Sequence, residues 1–341
     1  MEGIDQDRVG AWFTEQVDPL TPPLHYDLIA GGRSNLTYRV TDSGGRTWAL
    51  RRPPLSHVLP TAHDMTREHR VITALGPTDV PVPATVALCT DPAVNGAPFY
   101  VMEFVEGHIL RDAASAETVG EEVRRRAGLS LADTLAALHA VDVDAVGLGD
   151  FAKRDGYIER QLRRWYEQFR NSEVEGVDTA SLVTEVHDRL AAAVPDQVGT
   201  AIVHGDFRLD NTVIGDDGRV RAVLDWEICT LGDPLADVGL LMVYWTEPGD
   251  VAALLGVTPT TMPGFISRAE VRARYAEASG RDLSDLDFYV AFGYWKLACI
   301  LQGVYARYVG GAAAGDRSSV DGFAHSVIEL SEAARTTLEG R

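Results

Sequence analysis

Three oxygen-bearing side chains stand in a fixed order in the second half of the chain. His204-Gly205-Asp206 is followed by Asn211 and then by Asp225, which ends the next β-like run. Phosphoryl transfer needs a metal-bound phosphate and an attacking hydroxyl held in line, with the developing charge neutralised. Carboxylate and amide oxygens are the ligands that Mg²⁺ prefers. We therefore expect phosphoryl transfer, with Asp206 accepting or orienting the hydroxyl proton and with Asn211 and Asp225 binding Mg²⁺.

A local turn is the ordinary explanation for any one of these residues taken alone. Asp and Asn often hydrogen-bond to their own backbone in turns and need no further role there. Here the three residues alternate with β-like runs at Thr200–His204, Thr212–Ile214 and Val220–Asp225. Their order and spacing favour one shared site over three unrelated turns.

Two differently patterned regions must position these residues. The first contains two predicted helices, an amphipathic one at Met1–Gln16 and another at Thr66–Leu75. It also contains five β-like runs, at Tyr26–Ala30, Leu36–Thr41, Thr47–Arg52, Thr85–Cys89 and Pro98–Phe104. The second is mainly helical and continues to Glu339, with long predicted helices at Val119–His139, Gly156–Arg170 and Thr179–Ala193. The pattern predicts an α+β fold, with a five-stranded sheet and a helix ahead of a mainly helical part.

The motifs resemble those of the aminoglycoside phosphotransferase/choline kinase-like family. HGDFRLDN at His204–Asn211, LDWE at Leu224–Glu227 and GDPLADVG at Gly232–Gly239 carry this resemblance. YIERQLRRW at Tyr157–Trp165 and LHAVDVDAVGLGDF at Leu138–Phe151 are similar to a subgroup. That subgroup comprises the kinase-like domains that precede acyl-CoA dehydrogenase modules in animals, and stand-alone actinobacterial relatives.

The resemblance extends from about His25 to about Tyr308. It implies a bilobal protein kinase-like fold, with a β-rich N-lobe at residues 1–105 and a mainly helical C-lobe at residues 106–341. ATP would lie in the cleft between the lobes, and helices of the C-lobe would form the acceptor pocket. In the family Asp233 and Asp237 belong to a helix start that braces the catalytic loop, with Asp233 as a candidate cap. His204 is expected to orient that loop.

The resemblance places Ala49-Leu50-Arg51 where protein kinases carry Ala-x-Lys on a strand. Residues two apart on a strand share a face, so Ala49 would contact adenine and Arg51 the phosphates. An Arg thus replaces the usual Lys, and its bidentate contacts make it a suitable phosphate ligand. Glu68 is the expected partner of Arg51. The alternative is that Arg51 and Arg52 form a solvated basic pair at a strand end.

The segment 31–35 lies between two β-like runs, in the place of a glycine-rich phosphate loop. Backbone N–H groups around Gly32, Ser34 and Asn35 would cradle the β- and γ-phosphates. A Gly-Gly hairpin turn is the alternative interpretation. The segment Met102-Glu103-Phe104-Val105 is expected to be the hinge, with the backbone of Glu103 and Val105 bonding adenine.

Composition restricts the partners and the compartment. A net charge of −19 argues against nucleic acid and favours cationic ligands, so an ATP site must be neutralised locally. Cys89, Cys229 and Cys299 are far apart in apolar runs, which indicates a reduced intracellular protein. The N-terminal residues MEGIDQDRVG are polar, so we expect no secretory signal and a cytoplasmic location. The apolar stretch Leu286–Val309 carries charges and glycines, so we expect a buried helix and no membrane span. Nothing in the sequence predicts the oligomeric state.

The sequence leaves three hypotheses for the activity. The subgroup resemblance implies phosphorylation of a hydroxyacyl-CoA or a related lipid-derived hydroxyl. Arginines would then bind the CoA phosphates, and the candidates are Arg124–Arg126, Arg160, Arg163 and Arg164. A solvated helix face is the alternative for those arginines. The acidic charge favours an aminoglycoside or amino-alcohol kinase. A nucleotide-binding pseudokinase scaffold is the third hypothesis, supported by Arg51 standing in place of Lys. The apolar run Phe288–Val304 is expected to be core, with pocket lining as the alternative.

Overall fold

A five-stranded antiparallel sheet forms the first half of the fold. The computed structural model describes residues 1–30, 35–55, 63–174, 178–250, 258–310 and 320–340. The strands are β1 (Leu24–Ala30), β2 (Leu36–Asp42), β3 (Thr47–Arg52), β4 (Thr85–Cys89) and β5 (Phe99–Glu103), in the spatial order β1-β2-β3-β5-β4. Three helices accompany them, α1 (Gln6–Gln16), α2 (Met65–Leu75) and the short α3 (Pro92–Asn95).

Strand β3 separates two apolar layers, as its alternation predicts. Trp48 and Leu50 belong to the core under α1, where the Trp48 ring lies 6.1 Å from that of Phe13. Ala49 faces the opposite side, in the core that includes Ile72 of α2. Side chains of successive strand residues point to opposite faces, so the residues of β3 on the α2 side are the ones available to a site beneath the sheet.

Helices make up most of the remaining described residues. They are α4 (Ala113–Glu117), α5 (Glu121–Ala140), α6 (Tyr157–Arg170), α7 (Ala180–Ala192), α8 (Leu235–Tyr244), α9 (Arg268–Ser279), α10 (Leu286–Val309) and α11 (Val320–Glu339). Two small antiparallel pairs lie between α7 and α8, formed by β6 (Ala201–Val203) with β9 (Thr230–Gly232) and by β7 (Thr212–Ile214) with β8 (Val220–Val223). Helix α10 packs against α6, α8 and α11 and has Phe288, Tyr289 and Trp295 fully buried, so it is mainly core.

The α+β fold class is confirmed, and three details differ from the sequence predictions. Strand β8 ends at Val223, so Asp225 does not end a strand; its φ of 63° places it in the left-handed region, which stops the strand. Strand β9 and the short helices α3 and α4 were not predicted. The division at residue 105 stays a prediction. In the part of the chain that the structure describes, no helix is long and apolar enough to cross a membrane.

Candidate active site

The loop after β6 carries Asp206 and is held by buried polar contacts. Asp237, in the first turn of α8, accepts hydrogen bonds from the backbone N–H groups of His204 (2.6 Å) and Gly205 (2.8 Å). The ring Nε2 of His204 lies 2.9 Å from the carbonyl oxygen of Leu224, just before Asp225. Gly205 has a φ of +88°, which a side chain would strain. His204 and Asp237 therefore fix the backbone on either side of the site.

Asp233 has a different role from Asp237. Its Oδ1 accepts from the Leu235 N–H at 3.0 Å, and its Oδ2 accepts from the hydroxyl of Tyr289 at 2.7 Å. The residue in the N-cap position of α8 is Pro234, so Asp233 contacts the helix start from one residue further out. This contact joins α8 to α10.

Lys296 is a buried cation that sequence reasoning did not assign to the site. It lies on α10, is 6% exposed, and its Nζ donates a 3.0 Å hydrogen bond to the carbonyl oxygen of Gly205. Burial lowers the pKa of Lys296, an effect that the nearby carboxylates of Asp206 and Asp237 oppose. The sequence signal was one lysine within an otherwise apolar helix, because a buried charge requires partners.

The structure brings Asp206, Asn211 and Asp225 together. Asn211 Nδ2 donates to the backbone oxygen of Asp206 at 2.8 Å and to its carboxylate Oδ2 at 3.0 Å. The Leu224 N–H donates to the Asn211 carbonyl at 2.8 Å, which ties Asp225 to the same turn. With its nitrogen bonded to Asp206, the Asn211 amide directs its oxygen elsewhere.

Arg208 and Tyr244 complete the surroundings of Asp206. Arg208 Nε lies 3.3 Å from Asp206 Oδ2 and 2.9 Å from Asp210 Oδ1, with its guanidinium 4.8 Å from the centre of the Tyr244 ring. Burial, and after it the charge of the nearby Asp206 carboxylate, raises the pKa of Tyr244 well above its usual value, so the hydroxyl stays protonated. Tyr244 is distant in sequence and carried no motif that could have indicated it.

Arg51 lies at the centre of a buried charge cluster beneath the sheet. Its Nε donates to Glu68 Oε2 at 2.8 Å, and its other nitrogens contact Thr37 (3.3 Å) and Asp225. Burial lowers the pKa of Arg51, but Glu68 and the other surrounding acids raise it by more, so the side chain stays charged. Burial raises the pKa of Glu68, which also accepts from the Tyr100 hydroxyl at 3.0 Å. Arg51 is 9% exposed and is therefore not a solvated residue.

Asn35 and Glu227 extend this cluster. Asn35 Nδ2 donates to Glu68 Oε1 at 2.6 Å and to Glu227 Oε2 at 3.2 Å. Burial and the charge of Asp225 raise the pKa of Glu227 to about 7. Asn35 is 1% exposed, so its side chain braces the cluster. The predicted phosphate-loop residues Gly32 and Ser34 lie outside the described residues.

Two cavities border this cluster, and a third adjoins one of them. The central cavity, of about 360 Å³, is lined by Arg51, Asn211, Asp225, Tyr100 and Arg111 among others. The hinge cavity, of about 130 Å³, is lined by residues that include Ala49, Met102, Glu103 and Val105. The helical cavity, of about 420 Å³, is lined mainly by apolar groups, with two arginines and two aspartates among them. Its lining residues are Leu110, Arg111, Asp112, Arg208, Leu209, Asp210, Leu241, Tyr244, Trp245, Thr258, Pro259, Thr260 and Leu297.

One hydrogen bond limits which backbone groups of the predicted hinge can bind a ligand. The Glu103 N–H donates to the Ala84 carbonyl at 2.8 Å, so the carbonyl is the Glu103 backbone group that remains for a ligand in the hinge cavity. The arginines expected to meet CoA phosphates do not line the helical cavity; Arg124 is buried and reaches Ala116, and Arg163 lines a separate groove. Leu297 is the one described residue of the Phe288–Val304 run that lines it.

The oxygen donors fit Mg²⁺ held together with a phosphate ligand. Asn211 and Asp225 both line the central cavity. Mg²⁺ usually binds one or two protein oxygens and completes its shell with water and substrate phosphates. Among the residues that the structure describes, no group of three or more His, Cys, Asp or Glu side chains could hold a metal ion.

Comparison with known proteins identifies the family. The APH model, described as the phosphotransferase enzyme family, matches residues 25–289. The Arabidopsis thaliana protein named "Probable acyl-CoA dehydrogenase IBR3" is 37% identical over 316 residues, covering 87% of this chain and 38% of that protein. Acyl-CoA dehydrogenase family member 10 of Mus musculus is 35% identical over 319 residues, covering 91% of this chain. The chain matches 29% of the length of that mouse protein, so these relatives are much longer than the matched part.

A solved structure agrees over nearly the whole length. The crystal structure of a protein from Ralstonia eutropha JMP134, named as a candidate aminoglycoside phosphotransferase, has a TM-score of 0.79 and 34% identity, covering 97% of this chain and 98% of that one. The family model spans the sheet, the Asp206 loop and the Asp225 turn in a single match. The chain therefore belongs to the APH phosphotransferase enzyme family and has its kinase-like fold.

Proposed function

We propose that this protein is an ATP- and Mg²⁺-dependent phosphotransferase that phosphorylates a hydroxyl group of a small molecule. The observation that carries the proposal is the contact between Asn211 and Asp206, with Asn211 lining the same cavity as Asp225 and Arg51. A carboxylate that would orient the hydroxyl would thus lie next to two oxygen donors for the metal and a cation for the phosphates.

The nucleotide would enter through the hinge cavity. Adenine would lie between Ala49 and Met102, accepting a hydrogen bond from the Val105 N–H and donating one to the Glu103 carbonyl. The phosphates would then extend into the central cavity toward Arg51, which the Glu68 carboxylate holds in place. Asn35 supports that carboxylate, and Gly32 and Ser34 remain proposed phosphate-loop contacts. When bound through Asn211 and Asp225, Mg²⁺ would neutralise phosphate charge.

Asp206 would orient the acceptor hydroxyl and take its proton as the new bond forms. Asn211 donates a 3.0 Å hydrogen bond to one of its carboxylate oxygens, and the Arg208 guanidinium lies 3.3 Å from the same oxygen. Tyr244 is a further neighbour of this carboxylate. These contacts restrain the rotation of the side chain. Such positioning supplies much of the catalysis in phosphoryl transfer, where the protein does little covalent chemistry.

The helical cavity favours an acceptor with a substantial apolar part. Its lining is mainly apolar, and its two arginines are matched by two aspartates, so it offers no excess of acid for a polycation. The curated relatives carry acyl-CoA dehydrogenase names, which associates this domain with acyl-CoA chemistry. A hydroxyacyl-CoA or a related lipid-derived hydroxyl is therefore the acceptor that we propose.

An aminoglycoside or amino alcohol is the second candidate acceptor. It is supported by the net charge of −19 and by the name of the Ralstonia eutropha relative. A pseudokinase scaffold is less well supported, because Asp206, Asn211 and Asp225 are all present and Arg51 stays charged among its acids.

A substrate panel with MgATP would test the proposal. We expect ADP release with a 4-hydroxyacyl-CoA and none above background with kanamycin. The reverse preference would contradict the lipid acceptor, and MgATP binding without turnover on any hydroxyl would favour the scaffold.

Asp206→Asn is the matched variant for the role of the carboxylate. It keeps the size of the side chain and removes the proton acceptor, so kcat should fall by at least about 100-fold. The Kd for MgADP, measured by calorimetry, should stay within about twofold of the wild-type value because Asp206 lines neither the central nor the hinge cavity. Unchanged turnover would refute the assigned role.

A further inference from the structure

Two residues connect the central cavity with the helical cavity. Of the described residues, Arg111 and Asp210 are the two that line both spaces. A phosphoryl group that moves from a nucleotide in the central cavity to an acceptor in the helical cavity must pass this junction. Asp210 repels phosphate, whereas Arg111 attracts it.

The backbone around Arg111 is anchored on both sides. Three residues earlier, His108 forms an antiparallel bridge with Ile214 through two 2.8 Å hydrogen bonds. The Arg111 N–H itself donates to the Ser115 hydroxyl at 2.9 Å, beside the capping box with which Asp112 starts α4. The position of Arg111 is therefore fixed by the same strand that follows Asn211.

The guanidinium of Arg111 is not used in an ion pair. Among the described residues no carboxylate lies within 4.0 Å of it, whereas Arg51 and Arg208 each contact at least two acids. The donors of Arg111 therefore remain available to a ligand in either of the two cavities that it lines.

We propose that Arg111 is a catalytic residue that contacts the phosphoryl group during transfer. This inference rests on the proposed function and adds a transition-state contact to it. The acceptor oxygen forms a bond to the γ-phosphorus, the bond from that phosphorus to the bridging oxygen breaks, and ADP leaves with the electron pair. The hydroxyl proton goes to Asp206. Arg111 donates hydrogen bonds to the equatorial oxygens and forms no covalent bond.

Transition-state contact has a specific kinetic signature. A group that binds the transferring phosphoryl more strongly than the ground state lowers kcat when it is removed and leaves KM nearly unchanged. A group that holds an anionic part of the acceptor raises the acceptor KM instead. Arg111→Gln removes the charge, and Arg111→Lys keeps the charge but lacks the planar guanidinium with its paired N–H donors. The matched control is Arg219→Gln, because Arg219 is an arginine in the β7–β8 turn with a side chain 82% exposed.

The first experiment measures kcat and both KM values with the acceptor found in the substrate panel. For Arg111→Gln we expect kcat to fall on the order of 100-fold or more. Arg111→Lys should recover part of that loss, and Arg219→Gln should match the wild type. A kcat within about threefold of wild type, or a change confined to the acceptor KM, would overturn the proposal.

The second experiment needs no acceptor turnover. It compares the Kd for MgADP with and without aluminium fluoride, which mimics the transferring phosphoryl group. Wild-type protein should bind MgADP more tightly with the fluoride, and Arg111→Gln should lose that gain while its Kd for MgADP alone is unchanged. An equal gain in both proteins would overturn the role of Arg111 alone. A wild type that binds no MgADP would overturn the proposed function and this inference with it.

Discussion

Replacing Arg51 by lysine should impair the use of ATP although the charge is kept. Two nitrogens of the guanidinium, Nε and a terminal one, contact Glu68 and Asp225, and the remaining one contacts Thr37. A lysine ammonium is a single nitrogen and cannot occupy the Nε and terminal positions together. Arg51→Lys must therefore give up at least one contact with a buried carboxylate.

The magnitude follows from that lost contact. A hydrogen bond to a charged group contributes about 1.5 to 3 kcal/mol, and each 1.4 kcal/mol corresponds to roughly a tenfold change in rate or affinity. If the loss falls on the phosphate geometry, kcat/KM for ATP should decrease by about 10- to 100-fold. Steady-state kinetics with MgATP as the varied substrate would measure this, and calorimetry with MgADP would separate binding from turnover.

Arg52→Lys is the matched control for this substitution. Arg52 is the next residue of β3, is equally buried, and bonds the backbone oxygens of Gly3, Pro53 and Asn95, away from the central cavity. Its replacement should lower the free energy of unfolding while kcat/KM for ATP stays within about twofold. Wild-type kinetics for Arg51→Lys, or equal kinetic losses in both variants, would refute the phosphate-binding role.

Two further predictions concern buried groups away from the nucleotide. Lys296→Met should lower kcat by about tenfold and leave the Kd for MgADP unchanged, because the Gly205 carbonyl loses its 3.0 Å donor and the Asp206 loop becomes less well held. A stopped assay would measure the change in kcat. An unchanged kcat would show that the contact only stabilises the fold. Burial lowers the pKa of His139 below 6.5, so the folded protein takes up its proton less readily than the unfolded chain, and the free energy of unfolding should fall as the pH drops below about 6.5. In urea titrations, the free energy of unfolding of His139→Gln should depend less steeply on pH below about 6.5 than that of the wild type. The same pH dependence in both proteins would contradict this prediction.

Local patterns were sufficient to predict much of the fold. Alternation in β3 placed Ala49 and Leu50 on opposite faces, because side-chain direction in a strand depends on sequence neighbours alone. Asp206 and Asn211 lie in the same turn, so their spacing in the sequence was enough to predict that their side chains could contact each other. Elements that depend on distant partners were harder: β9 is three residues long and forms only because β6 pairs with it.

The remaining site residues could not be predicted because their contacts are not local. Tyr244 reaches Asp206, and Arg111 reaches the side of Asp210, across long sequence separations and without any motif. The left-handed backbone of Asp225 is set by its tertiary surroundings, whereas the apolar run before it suggested a longer strand. Arg163 and the other helix arginines were assigned to the CoA phosphates from their charge alone. Charge does not specify which face of a helix points toward a cavity.

Adjacent residues of α10 serve two different parts of the site, and this limits how the protein can change its specificity. Lys296 holds the loop that carries Asp206, while Leu297 lines the helical cavity about 100° further around the same helix. A substitution at Leu297 that reshapes the cavity for a new acceptor also presses on the helix that supports Lys296. Acquiring a new substrate through this position would therefore cost turnover, and libraries for altered specificity should begin at Thr258 or Thr260, which line the same cavity from outside α10.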